Sequence, residues 1–96
     1  MSKLVSCEFE VFGKVQGVYF RKYTEKQAII LGLRGWCMNT ENNSVKGRLE
    51  GDKERIMLMR EWLKTTGSPK SNVERACFTE CRPIREFTVR KFSIKR

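Results

Sequence analysis

A chain of 96 residues is enough for one compact domain with a single core and leaves no room for a second. Its 40% hydrophobic and 32% charged residues are ordinary for a globular protein, and no stretch approaches the roughly 18 uninterrupted apolar residues of a membrane helix. Twenty Lys and Arg against eleven Asp and Glu give a charge of +9, which favours anionic partners, whether phosphorylated small molecules, nucleic acid or an anionic surface.

Met1 to Glu8 lacks the apolar run and small-residue cleavage site of a secretory signal, so the reading is a cytosolic protein. Cys7, Phe9 and Val11 alternate with Glu8 and Glu10, which predicts a strand buried on one face over about residues 6–12. The run from Val11 to Arg21 then carries glycines at 13 and 17 and opens a helix with an arginine in its first turn. Two glycines four apart let successive N–H groups point into one concavity, the helix adds its unpaired N–H groups and positive dipole end, and Arg21 offers a planar fork for two phosphate oxygens. The stretch reads as an anion cradle. On these residues alone a plain strand-to-helix turn remains the other reading.

Phe20, Tyr23, Ala28 and Leu31, with Thr24 and Gln27 between them, recur at helical spacing, and Gly32 supplies a stop. Arg34 to Thr40 suits a second strand, and Thr40 to Ser44 a hairpin turn with Asn43 as its left-handed residue. In the third strand Val45, Gly47, Leu49 and Gly51 alternate with Lys46, Arg48 and Glu50, one face buried and one wet. Asp52 is placed to cap a second helix whose Ile56, Met59, Trp62 and Leu63 form a core stripe, closed by Gly67 and Pro69. Val73 to Cys81 and Phe87 to Ile94 read as further strands joined by Arg82 to Arg85, the second with a bulge or bend.

The order strand, helix, strand, strand, helix, strand is the split βαβ arrangement: an α+β, ferredoxin-like fold with an antiparallel sheet and both helices on one face. Four cysteines without a Cys-x-x-Cys pair, in a chain with no histidine, read as free thiols and not as a metal site. Cys7 and Cys37 serve as small hydrophobes, and Cys77 and Cys81 share a face if their strand runs straight. Arg82, Arg85, Arg90, Lys91, Lys95 and Arg96 against Glu86 alone read as a solvated strand face and tail.

Gly13, Val15, Gln16, Gly17, Val18, Phe20 and Arg21, together with Gly35, Trp36, Asn39, Val45 and Gly51, resemble the two signatures of the acylphosphatase family. Asn43 stands where the family's turn glycine usually falls, a small local cost because asparagine tolerates the left-handed region. The resemblance covers nearly the whole chain and implies a single acylphosphatase-like domain over residues 1–96. It implies a cytosolic hydrolase that cleaves the carboxyl-phosphate bond of a small acyl phosphate without metal or other cofactor. It further implies that Gly13, Lys14, Val15, Gln16, Gly17, Val18, Tyr19 and Arg21 hold the phosphoryl group while Asn39 orients the attacking water. A monomer with no nucleic-acid or membrane partner is the default expectation.

That chemistry suits these residue types. Phosphoryl transfer asks mainly for in-line positioning and preformed electrostatics. The leaving carboxylate, whose conjugate acid has a pKa of about 4, departs at neutral pH without a protein general acid. Asn39 is neutral, so it can aim a water but hardly deprotonate one. The rival readings are a non-catalytic anion-binding domain and an RNA-recognition motif, which shares the element order. Against the latter, the third strand has no aromatic residue, and Phe9 and Phe12 point to opposite faces if the first strand is regular.

Overall fold

The computed structural model describes residues 3–96; Met1 and Ser2, part of the N-terminal stretch read for a signal, lie outside the described residues. In chain order the elements are β1 Leu4–Lys14, α1 Phe20–Ile30, β2 Arg34–Asn39, β3 Val45–Asp52, α2 Lys53–Thr65, β4 Asn72–Phe78, β5 Arg82–Pro83 and β6 Phe92–Ile94. β1 is the hub because it is long enough to serve several neighbours. It pairs antiparallel with β3 from Leu4 to Val11, with β4 from Phe9 to Lys14 and with β5 at Val5 and Ser6. Strands β4, β1, β3 and β2 form the antiparallel arrangement expected of a ferredoxin-like fold. β6 adds itself to the free edge of β2 in parallel, so the complete sheet is mixed. The chain reverses between β5 and β6 as it passes from the flank of β1 to that of β2, and this sets the parallel pairing.

The core lies between the sheet and the helices. Val5, Cys7, Phe9 and Val11 of β1 alternate into it, joined by Cys37, Val45, Leu49 and Phe92 from the other strands. α1 rests on β2 and β6, and α2 on β4, β3 and β1. Asp52 caps α2 as its type predicts, its Oδ1 accepting from the Glu54 amide at 3.0 Å. Ile56, Met59 and Leu63 of that helix are fully buried, each worth about 1.5–3 kcal/mol of transfer free energy. Trp62 packs its ring against Phe20 of α1, centroids 6.0 Å apart.

α1 turns a different face inward from the expected stripe. Phe20, Thr24 and Ala28 are buried, whereas Tyr23 is exposed. An i, i+4 row replaces the i, i+3 start because Thr24 loses nothing by burial: its Oγ1 donates to the Phe20 carbonyl at 2.7 Å. The helix ends at Gly32, whose φ of 71° permits a Schellman closure in which the Leu33 amide donates to Ala28 O and the Gly32 amide to Ile29 O.

The C-terminal third departs furthest from expectation. β4 ends at Phe78, short of Cys81. The linker residues Arg82 and Pro83 become a short strand beside β1, and the predicted strand from Phe87 shrinks to Phe92–Ile94. The cause is Glu50. It was placed on the wet face of β3, yet it is fully buried, because residues 85–91 bend over that face and Thr88 donates to it through both its amide (2.9 Å) and its hydroxyl. Arg48 Nε completes the cluster at 2.9 Å. Arg34 secures the same segment, stacking on Phe87 at 3.8 Å and donating to the Val89 carbonyl.

Burial alone would raise the Glu50 pKa, but the Thr88 hydroxyl, Arg48 and the Thr88 amide outweigh it and hold the carboxyl below its ordinary value. A depressed folded-state pKa contributes stability that is present above the unfolded carboxylate value of about 4.3 and is lost as pH falls through the folded pKa. We therefore expect Glu50→Gln to destabilise the protein at neutral pH by about 1–3 kcal/mol, and the gap to the parent to narrow below about pH 4. Urea titrations of both proteins across that range measure it; a gap that does not change with pH would place the loss in packing and not in charge.

Candidate active site

The chain from the end of β1 to α1 is bent by three residues of positive φ: Gly13, within β1, at 123°, Gly17 at 73° and Tyr19 at 59°. Gly13 has a second requirement. A Cβ there would sit 2.2 Å from the Asn72 carbonyl oxygen of β4, so this glycine serves the β1–β4 junction, where the register shifts, as well as the turn. Val15 and Val18 bury their side chains in the core and pin the loop at two points. The Val15 amide donates to Gly13 O at 3.0 Å, whereas those of Gln16, Gly17, Val18 and Tyr19 have no backbone acceptor among the described residues.

α1 starts at Phe20 without a side-chain cap and without an acidic residue in its first turn. Its N-terminal donors are thus left for a ligand, and the positive dipole end is not neutralised from within the protein. Arg21 stands in that turn, and neither ion pair recorded among the described residues involves it.

Gln16 ties this loop to the β2–β3 hairpin. Its Nε2 donates to the carbonyls of Thr40 (3.0 Å) and Ser44 (2.9 Å). The hairpin is itself closed by the Thr40 amide on Ser44 O at 2.9 Å and by Asn43 at φ 61°, the left-handed geometry expected of that residue. Asn39, the last residue of β2, is thereby held next to the loop. Its Oδ1 is buried and has no hydrogen-bond partner among the described residues. An orphaned buried acceptor costs about 1–3 kcal/mol and calls for a functional reason.

Arg21 and Asn39 line one cleft of about 450 Å³, with Val15, Gly17, Tyr19 and Phe20. Lys22, Ile94 and Arg96 complete its wall; Arg96 belongs to the run that reads in the sequence as a solvated tail, and Lys22 and Ile94 carry no local mark of a site. The signal for Arg96 was the basic C-terminal run, but only the docking of β6 beside β2 and α1 shows which of its cations reaches the cleft. Gly13, Lys14, Gln16 and Val18, expected among the phosphate-holding residues, are not part of its lining. No lining residue is acidic. Cys37 lies fully buried under this site, its Sγ 3.9 Å from the Arg21 carbonyl, and burial pushes its thiol up to about 12 despite the opposing pull of Arg21, so it stays a neutral thiol at physiological pH.

The family model for acylphosphatase matches residues 7–94. The chain belongs to the acylphosphatase family. It is 50% identical over 90 residues to acylphosphatase-1 of Drosophila melanogaster, covering 94% of this chain and 75% of that one. It is 46% identical over 91 residues to acylphosphatase-1 of Mus musculus, covering 95% and 92%. Among solved structures, an acylphosphatase from Coxiella burnetii superposes with a TM-score of 0.86 at 30% identity, covering 97% of this chain and 94% of that one. An acylphosphatase from Bacillus subtilis gives 0.84 at 30% identity, covering 96% and 99%. Family and fold together make this an acylphosphatase-type hydrolase.

The tether predicts a specific defect. Gln16→Ala removes both hydrogen bonds to the hairpin; Ser44 O keeps the Thr40 amide, whereas Thr40 O loses its recorded donor. We expect a loss of about 1–2 kcal/mol of stability and a rise in KM for acyl phosphate, since the loop and Asn39 no longer move as one piece. Urea unfolding and steady-state kinetics on the purified variant check the two parts separately.

Proposed function

We propose that the 450 Å³ cleft is the catalytic site, and that it hydrolyses acyl phosphates to carboxylate and inorganic phosphate. The observation that carries this is the meeting of Arg21 with the unpartnered Asn39 Oδ1 in one cleft that no acidic residue lines. The phosphoryl group lies in the concavity of the loop Gly13 to Tyr19, where the free amides from Gln16 onward and the N-terminus of α1 receive its oxygens, and Arg21 grips it as a bidentate fork. Gln16, Val15 and Val18 act by holding that main chain in shape, and not by side-chain contact.

Asn39 Oδ1 accepts a hydrogen bond from the attacking water and aims its oxygen at phosphorus opposite the leaving carboxylate. The water's proton passes to a phosphate oxygen, directly or after bond cleavage, and the carboxylate leaves unprotonated. Cationic Arg21, Lys22 and Arg96 along the wall offset the charge spread over the equatorial oxygens. No step asks for a metal ion or other cofactor. We further read residues 1–96 as one cytoplasmic, monomeric domain. The four free thiols fit a reducing compartment and support the cytoplasmic part of that reading.

The two aromatic residues of β1 speak against an RNA-binding role. Phe9 is buried in the core, and Arg75 stacks over Phe12 at 4.4 Å. The test is hydrolysis of acetyl phosphate or benzoyl phosphate by purified protein, with and without chelator. Hydrolysis unaffected by chelator is expected; no hydrolysis, accompanied by salt-sensitive RNA binding, would overturn the proposal.

A further inference from the structure

Cys7 and Cys81 lie 74 positions apart in sequence, yet the pairing of β1 with β5 sets them side by side. Val5 pairs with Pro83 and Ser6 with Arg82, so the next antiparallel partner of Cys7 is Cys81. Glu80 is the surplus residue between this register and that of Phe9 with Phe78. The kind of pair also matters. The Ile84 amide donates to Leu4 O at 3.0 Å, which makes Leu4 and Ile84 a hydrogen-bonded pair. Counting on, Val5 with Pro83 is non-hydrogen-bonded, as a residue without an N–H requires, and Cys7 with Cys81 is non-hydrogen-bonded again. At such positions Cα atoms approach to about 4.5 Å, within the roughly 4.4–6.8 Å that a disulfide spans.

The two sulfurs differ in access. Cys7 is buried, with its thiol engaged by the Cys81 side chain. Cys81 is half-buried and lines a surface cleft of about 470 Å³ between α2 and the end of β4, with Lys53, Met57, Arg60, Thr79 and Glu80. Arg60 Nη1 donates to the Cys81 sulfur at 3.8 Å, while its guanidinium stacks on Phe78 at 4.5 Å. This cleft shares no residue with the one that holds Arg21 and Asn39.

We propose that Cys81 is a modification site for small hydroperoxides, and that Cys7 captures its oxidised form as an intrachain disulfide tying β1 to the chain entering β5. In the first step the Cys81 sulfur gives up its proton and attacks the terminal peroxide oxygen; the O–O bond breaks, an S–O bond forms, and the departing alkoxide or hydroxide takes that proton and leaves as alcohol or water. The Cys81 sulfur loses two electrons to the peroxide. In the second, Cys7 sulfur attacks the sulfenic sulfur of Cys81. The S–S bond forms, the S–O bond breaks, and hydroxide leaves as water with the Cys7 proton. The net reaction converts two thiols and one hydroperoxide to one disulfide, one alcohol and one water. Burial first, then the neighbouring Cys81, pushes the Cys7 thiol up to about 12, so Cys7 is held as a neutral thiol and Cys81 is the one of the pair that meets the peroxide.

The experiment uses the full chain carrying Cys77→Ser, since Cys77 is exposed and would cross-link between molecules. Hydrogen peroxide is added under native conditions, and thiols are counted in denaturant. Two of the three remaining thiols should disappear, the mass should fall by about 2 Da, and peptide mapping should join Cys7 to Cys81. The bond closes most of the chain into one loop, so the urea midpoint should rise by about 1 M or more and return with reductant. Adding Cys81→Ser should abolish thiol loss. Cys7→Val should leave Cys81 as a sulfenic acid trapped by dimedone, and the Cys81→Ser result decides if that variant does not fold. A disulfide through Cys37, over-oxidation of Cys81 beside an untouched Cys7, or an unchanged urea midpoint would overturn the proposal.

Discussion

Asn39→Ala is expected to lower kcat for acetyl phosphate by about a hundredfold or more, to leave inhibition by inorganic phosphate within about twofold, and to leave the fold as stable as before or more so. The three parts come from one atom. Asn39 Oδ1 is buried without a partner, so in the free protein it is a cost that its removal relieves, by up to about 1–3 kcal/mol. Asparagine at this place lowers stability unless a water bound for reaction uses the oxygen. Phosphate affinity stays because the loop amides and Arg21 are untouched. Kinetics at saturating substrate, phosphate inhibition and urea unfolding on the same preparation check it. Unchanged turnover would refute the water-positioning role, and lost turnover with a matching loss of stability would reduce Asn39 to a structural residue.

Arg21→Ala is expected to cut kcat/KM by about a thousandfold and to weaken phosphate inhibition as well, because the fork contacts the phosphoryl group in both ground and transition states. A cation in the first turn of α1 opposes the helix dipole, an arrangement that costs a few tenths to about 1 kcal/mol and makes sense with an anion between them. Arg21→Ala should therefore keep or slightly raise stability. Arg21→Lys retains the charge and loses the planar pair of donors, so it should recover only a small part of the activity. Steady-state constants for both variants, with phosphate as competitor, separate fork from charge. Full activity in the lysine variant would show that a point charge suffices.

Part of the cleft's lining was legible because its requirements are local. A left-handed residue, an uncapped helix start and an arginine one position into the helix are visible as Gly17, Tyr19-Phe20 and Arg21 in a row. Asn39 was legible only through the family resemblance, since on its own it is an ordinary strand end. Lys22, Ile94 and Arg96 were not legible as site residues, because nothing in the composition of the C-terminal run says which cation folds back against α1. Gln16 reads as part of the phosphate loop, and its side-chain amide turns to the hairpin; a glutamine side chain carries no sign of which carbonyls it will meet 24 and 28 residues away.

The same division runs through the fold. Alternation along β1 and β3, the Asp52 cap, the Gly32 stop and left-handed Asn43 are short-range consequences of side-chain shape and backbone freedom, so the chain alone sufficed for most of the four central strands and both helices. What lies beyond β4 was decided by long-range pairing. Glu50 reads as one more polar residue on a wet strand face. It becomes a buried anchor because a segment 38 residues later supplies the Thr88 amide and hydroxyl, and the resulting bend breaks the predicted strand and swings β6 to the edge of β2. Periodicity describes how a residue sits relative to its own strand. Which segment covers the strand's other face depends on the free energy of the whole packing, and there the gain from satisfying a buried carboxylate outweighed strand propensity.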